Sequence, residues 1–72
     1  MTQLKHQILT ALDRIGPQVS VKRIANLVTA TRHHGRIRCT LYEMQCAGLC
    51  VSDDVMNWTI TNAGRKQLEV AL

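Results

Sequence analysis

A run of cationic and imidazole side chains stands out in this chain: Arg32, His33, His34, Arg36 and Arg38, within TRHHGRIRCTLYEMQCAGLC at residues 31–50. A guanidinium is a rigid fork of donors with no acceptor, so it suits two acceptors held in one plane, such as a phosphate or the edge of a base. The two imidazoles lie upstream of Cys39, Cys46 and Cys50, which raises a metal site as a second use. The spacing speaks against it. There is no Cys-x-x-Cys, and on a helix Cys39 and Cys46 would stand about 10 Å apart, too far for one ion. No metal and no cofactor are expected. Three cysteines also make no closed disulfide set, so free thiols in a reducing compartment are expected.

Catalytic chemistry has less to build on. The five acids fall at 13, 43, 53, 54 and 69, with no carboxylate pair beside a histidine. There is no Ser-His-Asp arrangement and no glycine loop to cradle a phosphate. An enzyme is not expected.

The charge is placed unevenly. Arg14, Lys22, Arg23, Arg32, Arg36 and Arg38 occur between Arg14 and Tyr42 without one acid. The remainder holds Lys5, Arg65 and Lys66 against Asp13, Glu43, Asp53, Asp54 and Glu69, a net of −2. The positive excess of the chain, +4 in all, therefore sits in its middle and points to an anionic partner, nucleic acid first. With 72 residues and 46% apolar content the expectation is one domain, 1–72. No apolar run nears the ~18 residues of a membrane span, and the amphipathic start is not a signal peptide. A cytoplasmic protein is expected.

These side chains need elements to hold them. Leu4, Ile8, Leu12 and Ile15 form one helical stripe that Thr2 can cap and Gly16-Pro17 ends, predicting a helix from Thr2 or Gln3 to Ile15. Gln18-Val19 is an extended link, and Ser20 is an N-cap residue for a second helix of about eight residues with Ile24, Leu27 and Val28 inward. Ile37, Leu41 and Met44 predict a third helix, starting between Thr31 and Gly35 and closed by Gly48 in a left-handed turn. Leu49 and Val51 then begin a short strand. Asn57 to Ile60 alternate as its partner, with residues 52–56 at the hairpin tip and Trp58 in the core. Thr61 caps a last helix from Asn62 to about Val70, with Leu68 and Leu72 inward.

The order is helix, short strand, helix, helix, hairpin, helix: an α+β, mainly α, winged helix-turn-helix. Two stretches, LYEMQCAGLC (41–50) and WTITNAGRKQL (58–68), carry a resemblance to compact bacterial regulators of the MarR and PadR groups. Those groups commonly close the recognition helix as Leu41, Met44, Gly48 and Leu49 stand here. They leave the wing as Trp58, Ile60, Thr61, Gly64 and Arg65 stand here. The resemblance implies a prokaryotic or phage DNA-binding transcription regulator whose third helix enters the major groove of double-stranded DNA. A homodimer on a two-fold site would be formed through helix one and the C-terminal helix.

With Ile37, Leu41 and Met44 inward, Arg36, Cys39, Tyr42, Glu43 and Cys46 point outward and Arg38 lies on the flank. Arg36 is the expected base-reading residue, with guanine O6 and N7 as its match, and Arg38 and Tyr42 beside it. Lys22, Arg23, Arg32 and His33 are the expected phosphate contacts, the first two aided by the amide end of helix two. Two features depart from the groups: Gly35 falls in or near the first turn of the recognition helix, where an interior glycine costs about 1 kcal/mol, and the wing tip, Ser52-Asp53-Asp54, is acidic where a wing along DNA is usually basic or polar. That tip fits the alternative use of this fold as a protein-interaction module, such as a phage or plasmid inhibitor or adaptor, binding a protein partner through that wing.

Overall fold

The computed structural model describes residues 2–53 and 55–70. Four helices and one hairpin follow in the order α1 (Gln3–Ile15), α2 (Val21–Leu27), α3 (His34–Cys46), β1 (Cys50–Ser52), β2 (Trp58–Ile60) and α4 (Asn62–Val70). Three of the four helices, α1, α2 and α4, begin at a capping side chain. Thr2 Oγ1 accepts from the Lys5 amide at 3.3 Å, Ser20 Oγ from Arg23 at 3.3 Å, and Thr61 Oγ1 from Gly64 at 3.1 Å. These bonds satisfy amides that the helices cannot bond themselves. The α1 stripe ends at Gly16, whose φ of 101° is open to glycine alone at little strain.

α3 closes with a Schellman motif. The Leu49 amide donates to the Met44 carbonyl at 2.9 Å and the Gly48 amide to the Gln45 carbonyl at 3.0 Å. Leu49 is thus used in ending the helix, and the strand starts at Cys50. This changes the expected facing of the strand: Cys50 is buried and Val51 is half exposed, because a one-residue shift swaps the two faces.

β1 and β2 pair antiparallel, Cys50 with Ile60, Val51 with Thr59 and Ser52 with Trp58. On the other side of β2, Val19 and Trp58 exchange both backbone bonds at 2.8 Å, tying the link before α2 to the base of the wing. The core gathers Ile8, Leu9, Leu12, Val19, Ile24, Val28, Ile37, Leu41, Met44, Cys50, Trp58 and Ile60. One expectation for α2 fails. Ile24 and Val28 are buried, but Leu27 is 53% exposed, since it lies to one side of the strip that α1 and α3 cover. Leu68 packs at the core margin, and Leu72 lies outside the described residues.

The wing passes into α4 through a tight junction. Thr61 Oγ1 donates to the Gly48 carbonyl at 2.6 Å and the Thr61 amide to the Leu49 carbonyl at 3.1 Å. Gly64 sits against that same segment: an added Cβ would fall on the Leu49 carbonyl oxygen and 2.7 Å from Ile60 Cγ1. The architecture is a winged helix-turn-helix. Among the described residues no helix is long and apolar enough to cross a membrane.

Candidate nucleic-acid interface

The turn between α2 and α3 is held from α1. Gln7 accepts on Oε1 from the Thr29 and Ala30 amides, both at 2.9 Å, and its Nε2 donates to Thr29 Oγ1 at 2.7 Å. Thr31 Oγ1 then accepts the His33 amide at 3.2 Å, and α3 begins one residue later. His33 supplies no side-chain cap, and the first turn of α3 has no acid. The leading amides of α3 are therefore left without a capping side chain, beside Arg32, His33, His34 and Arg36, all exposed.

Every residue assigned to this surface from sequence is exposed. Lys22 and Arg23 stand on the first turn of α2, while Arg32 and His34 line a cleft with Ala25 and Asn26. That cleft brings the turn and the start of α3 against α2. Among the described residues, Lys22, Arg23, Arg32, Arg36 and Arg38 have no acid partner. The ion pairs among the described residues are Lys5 with Glu43 at 3.8 Å, in the cleft that Arg36 also lines, and Arg65 with Asp13 at 3.3 Å.

Helix geometry separates the two arginines of α3. Two positions advance 200° around the axis, so Arg36 and Arg38 lie about 160° apart on opposite flanks. Arg36 faces the start of α1, in a cleft with Leu4, Lys5, Cys39 and Glu43. Arg38 lies on the flank of Gln45, whose Oε1 accepts both the amide and the hydroxyl of Ser52 at 2.9 Å, so this is the wing side. The ridge between them runs Gly35, Cys39, Tyr42, Cys46, all exposed and small except the tyrosine.

Tyr42 is more constrained than an outward-facing residue need be. It is 41% exposed, its ring meets Trp58 edge to face at 5.4 Å and 82°, and its hydroxyl donates to Met56 Sδ at 3.8 Å. It fastens α3 to the wing, and only part of the ring is open to a partner.

The wing acid is also committed. Asp53 Oδ1 accepts from the Val55 and Asn57 amides at 3.0 and 2.9 Å, and the Met56 amide donates to the Asp53 carbonyl at 3.2 Å. Met56 completes the loop in a left-handed conformation, φ 62°. Sequence reasoning read Asp53 as a tip charge and missed this role, though an Asx residue opening a short loop is its signal. It also missed Lys5, which only the packing of α1 on α3 brings beside Arg36.

Of the three free cysteines, Cys39 and Cys46 are exposed on the outer ridge. Cys50 is buried, which pushes its thiol up from 9.0 to about 11.

No family model matches the chain, and no curated protein matches it. Among solved structures it is similar to BpsR of Bordetella bronchiseptica, whose DNA binding is regulated by 6-hydroxynicotinic acid. The TM-score is 0.85 at 21% identity, over 100% of this chain and 53% of that one. This chain spans about half the length of its structural neighbour, and the likeness is one of fold: the winged helix-turn-helix.

Proposed function

We propose that this chain is a small DNA-binding regulator that sets α3 in the major groove of double-stranded DNA. The reading rests on Lys22, Arg23, Arg32, Arg36 and Arg38, exposed on the two helices and the turn of a winged helix and without an acid partner among the described residues. The uncapped amides of α3 and the exposed start of α2 suit phosphates. Gly35 and Cys39, lacking bulk, let the α3 backbone approach the bases, while Arg36 and Arg38 reach to either side. Lys5 extends the Arg36 flank and is a further phosphate contact. The similarity in fold to a protein that binds DNA supports this reading. A homodimer, through the outer faces of α1 and α4 where Asp13, Arg65 and Leu68 border a cleft, would double a small contact surface.

A gel shift tests the proposal. A random duplex at low salt should be retarded by ~10 μM protein, the range that non-specific binding reaches. An unshifted duplex would contradict it.

The wing favours a second kind of partner. Between Arg38 and Arg65 there is no Lys or Arg, and the acids Glu43, Asp53 and Asp54 lie in that interval. Val51, Val55 and Met56 are 50%, 72% and 40% exposed. A wing of that composition suits a protein surface better than a phosphate backbone.

A further inference from the structure

We propose that the wing tip of one copy of this chain seats in a groove between α1 and α2 of a second copy, giving a head-to-tail contact. Among the described residues the large exposed apolar side chains are Leu27, Tyr42, Val51, Val55, Met56 and Val70. Four of them, Tyr42, Val51, Val55 and Met56, belong to the wing and the side of α3 it leans on. Tyr42 and Met56 touch on the α3 side of the hairpin, Val51 stands on its opposite face, and Val55 stands on the tip turn, which the Asp53 bonds and the Tyr42–Met56 contact stiffen.

Leu27 lies elsewhere, in a groove of about 200 Å3 lined with His6, Gln7, Thr10, Ala11 and Arg14. The groove floor is apolar, and Arg14 at its rim is exposed with no acid partner among the described residues. An apolar knob on an acidic turn is its complement: Val55 opposite Leu27 and Ala11, and Asp53 opposite Arg14. Opposite charges around a small apolar contact fix its register more than they strengthen it.

Within one copy the two surfaces cannot meet. The Val19–Trp58 bridge ties the start of α2 to the wing base, and Leu27 is at the other end of α2. The contact is therefore between copies and joins two different surfaces. Such a contact has no two-fold axis, and each copy keeps a free wing or a free groove, so association continues past a dimer. The cations of α2 line neither surface, and of the two arginines on α3 only Arg38 lies on the wing side. A DNA minor groove is a poorer seat for this tip, because apolar wedges there are accompanied by cations and this wing has none.

The test uses the intact chain and two variants, Val55→Lys and Leu27→Lys. Both sites are exposed, so circular dichroism should match wild type; if either variant is unfolded, Val55→Ser or Leu27→Ser takes its place. In sedimentation equilibrium up to ~1 mM, wild type should rise past the mass of a dimer of 8.1 kDa chains, and each variant alone should not. Fluorescently labelled Val55→Lys should gain more anisotropy with unlabelled Leu27→Lys, which offers an intact wing to an intact groove, than with unlabelled Val55→Lys, which can add only a contact through α1 and α4. Wild type that never passes a dimer, variants that associate as wild type does, or a mixture that fails to recover the contact would each overturn the proposal. So would Val55→Lys that associates normally but loses affinity for duplex, which would assign the tip to DNA.

Discussion

Gln7 and Thr29, far apart in the chain, are joined through both ends of one carboxamide: Oε1 takes the Thr29 amide at 2.9 Å and Nε2 gives to Thr29 Oγ1 at 2.7 Å. With the Ala30 amide as a third partner, this is how α1 sets the turn that aims α3. Gln7→Ala should lower stability by about 1–2 kcal/mol, since partly exposed bonds contribute modestly. DNA affinity should fall further than that loss explains. Gln7→Glu keeps an acceptor for both amides and accepts from the Thr29 hydroxyl, so it should stay close to wild type. Urea melts with a DNA titration check both variants.

Two glycines should respond oppositely to a methyl group. Gly64→Ala drives a Cβ into the Leu49 carbonyl and should destabilise the fold by about 2 kcal/mol or more. Gly35→Ala meets nothing within 4 Å at helical φ and should stabilise by up to about 1 kcal/mol. Thermal unfolding reads both, and a destabilised Gly35→Ala would contradict the description of the first turn of α3.

The thiols divide by burial. A thiol reagent at pH 8 should modify Cys39 and Cys46 in the native protein and reach Cys50 only on unfolding. The pH dependence follows in sign: the unfolded Cys50 loses its proton near 9.0 and the folded one near 11. In that window the native state holds more protons, so Cys50 stabilises below pH 9 and that contribution fades as pH rises. Cys50→Ala should flatten the decline in stability between pH 9 and 11, measured by urea melts. An unchanged slope would count against a buried thiol.

Asp53 separates charge from turn geometry. Asp53→Asn retains an Oδ1 acceptor for Val55 and Asn57 and should melt like wild type, whereas Asp53→Ala should lose about 1–2 kcal/mol. If the wing lies near phosphates, the Asn variant should also bind duplex more tightly at low salt.

Much of this fold is written in short-range signals. Thr2, Ser20, Thr61, Gly16 and Gly48 mark helix ends because capping and left-handed turns are decided within a few residues. The stripes of α1 and α3 are long enough for their period to name the buried face. α2 is too short for that: Ile24, Leu27 and Val28 all fit one side, and only the packed neighbours leave Leu27 outside. Leu49 looks like a strand residue, yet its amide is drawn into the α3 terminus, and the strand facing shifts by one. At the candidate site the cations were legible from charge placement. The Gln7 and Gln45 clamps were not, because they join residues distant in sequence, and neither was the α1 neighbour Lys5.

If the cations of α2 and α3 act together on DNA, added salt and removal of their charge must both weaken binding. Fluorescence anisotropy with a labelled duplex, across salt concentrations, tests it for wild type and the double variant Arg36→Ala/Arg38→Ala. Wild-type affinity should fall steeply with salt, by roughly 0.9 in log K per log salt for each phosphate neutralised, and the double variant should bind more weakly with a slope shallower by up to about 2. Affinity that ignores salt, or a double variant that binds as wild type does, would contradict the account.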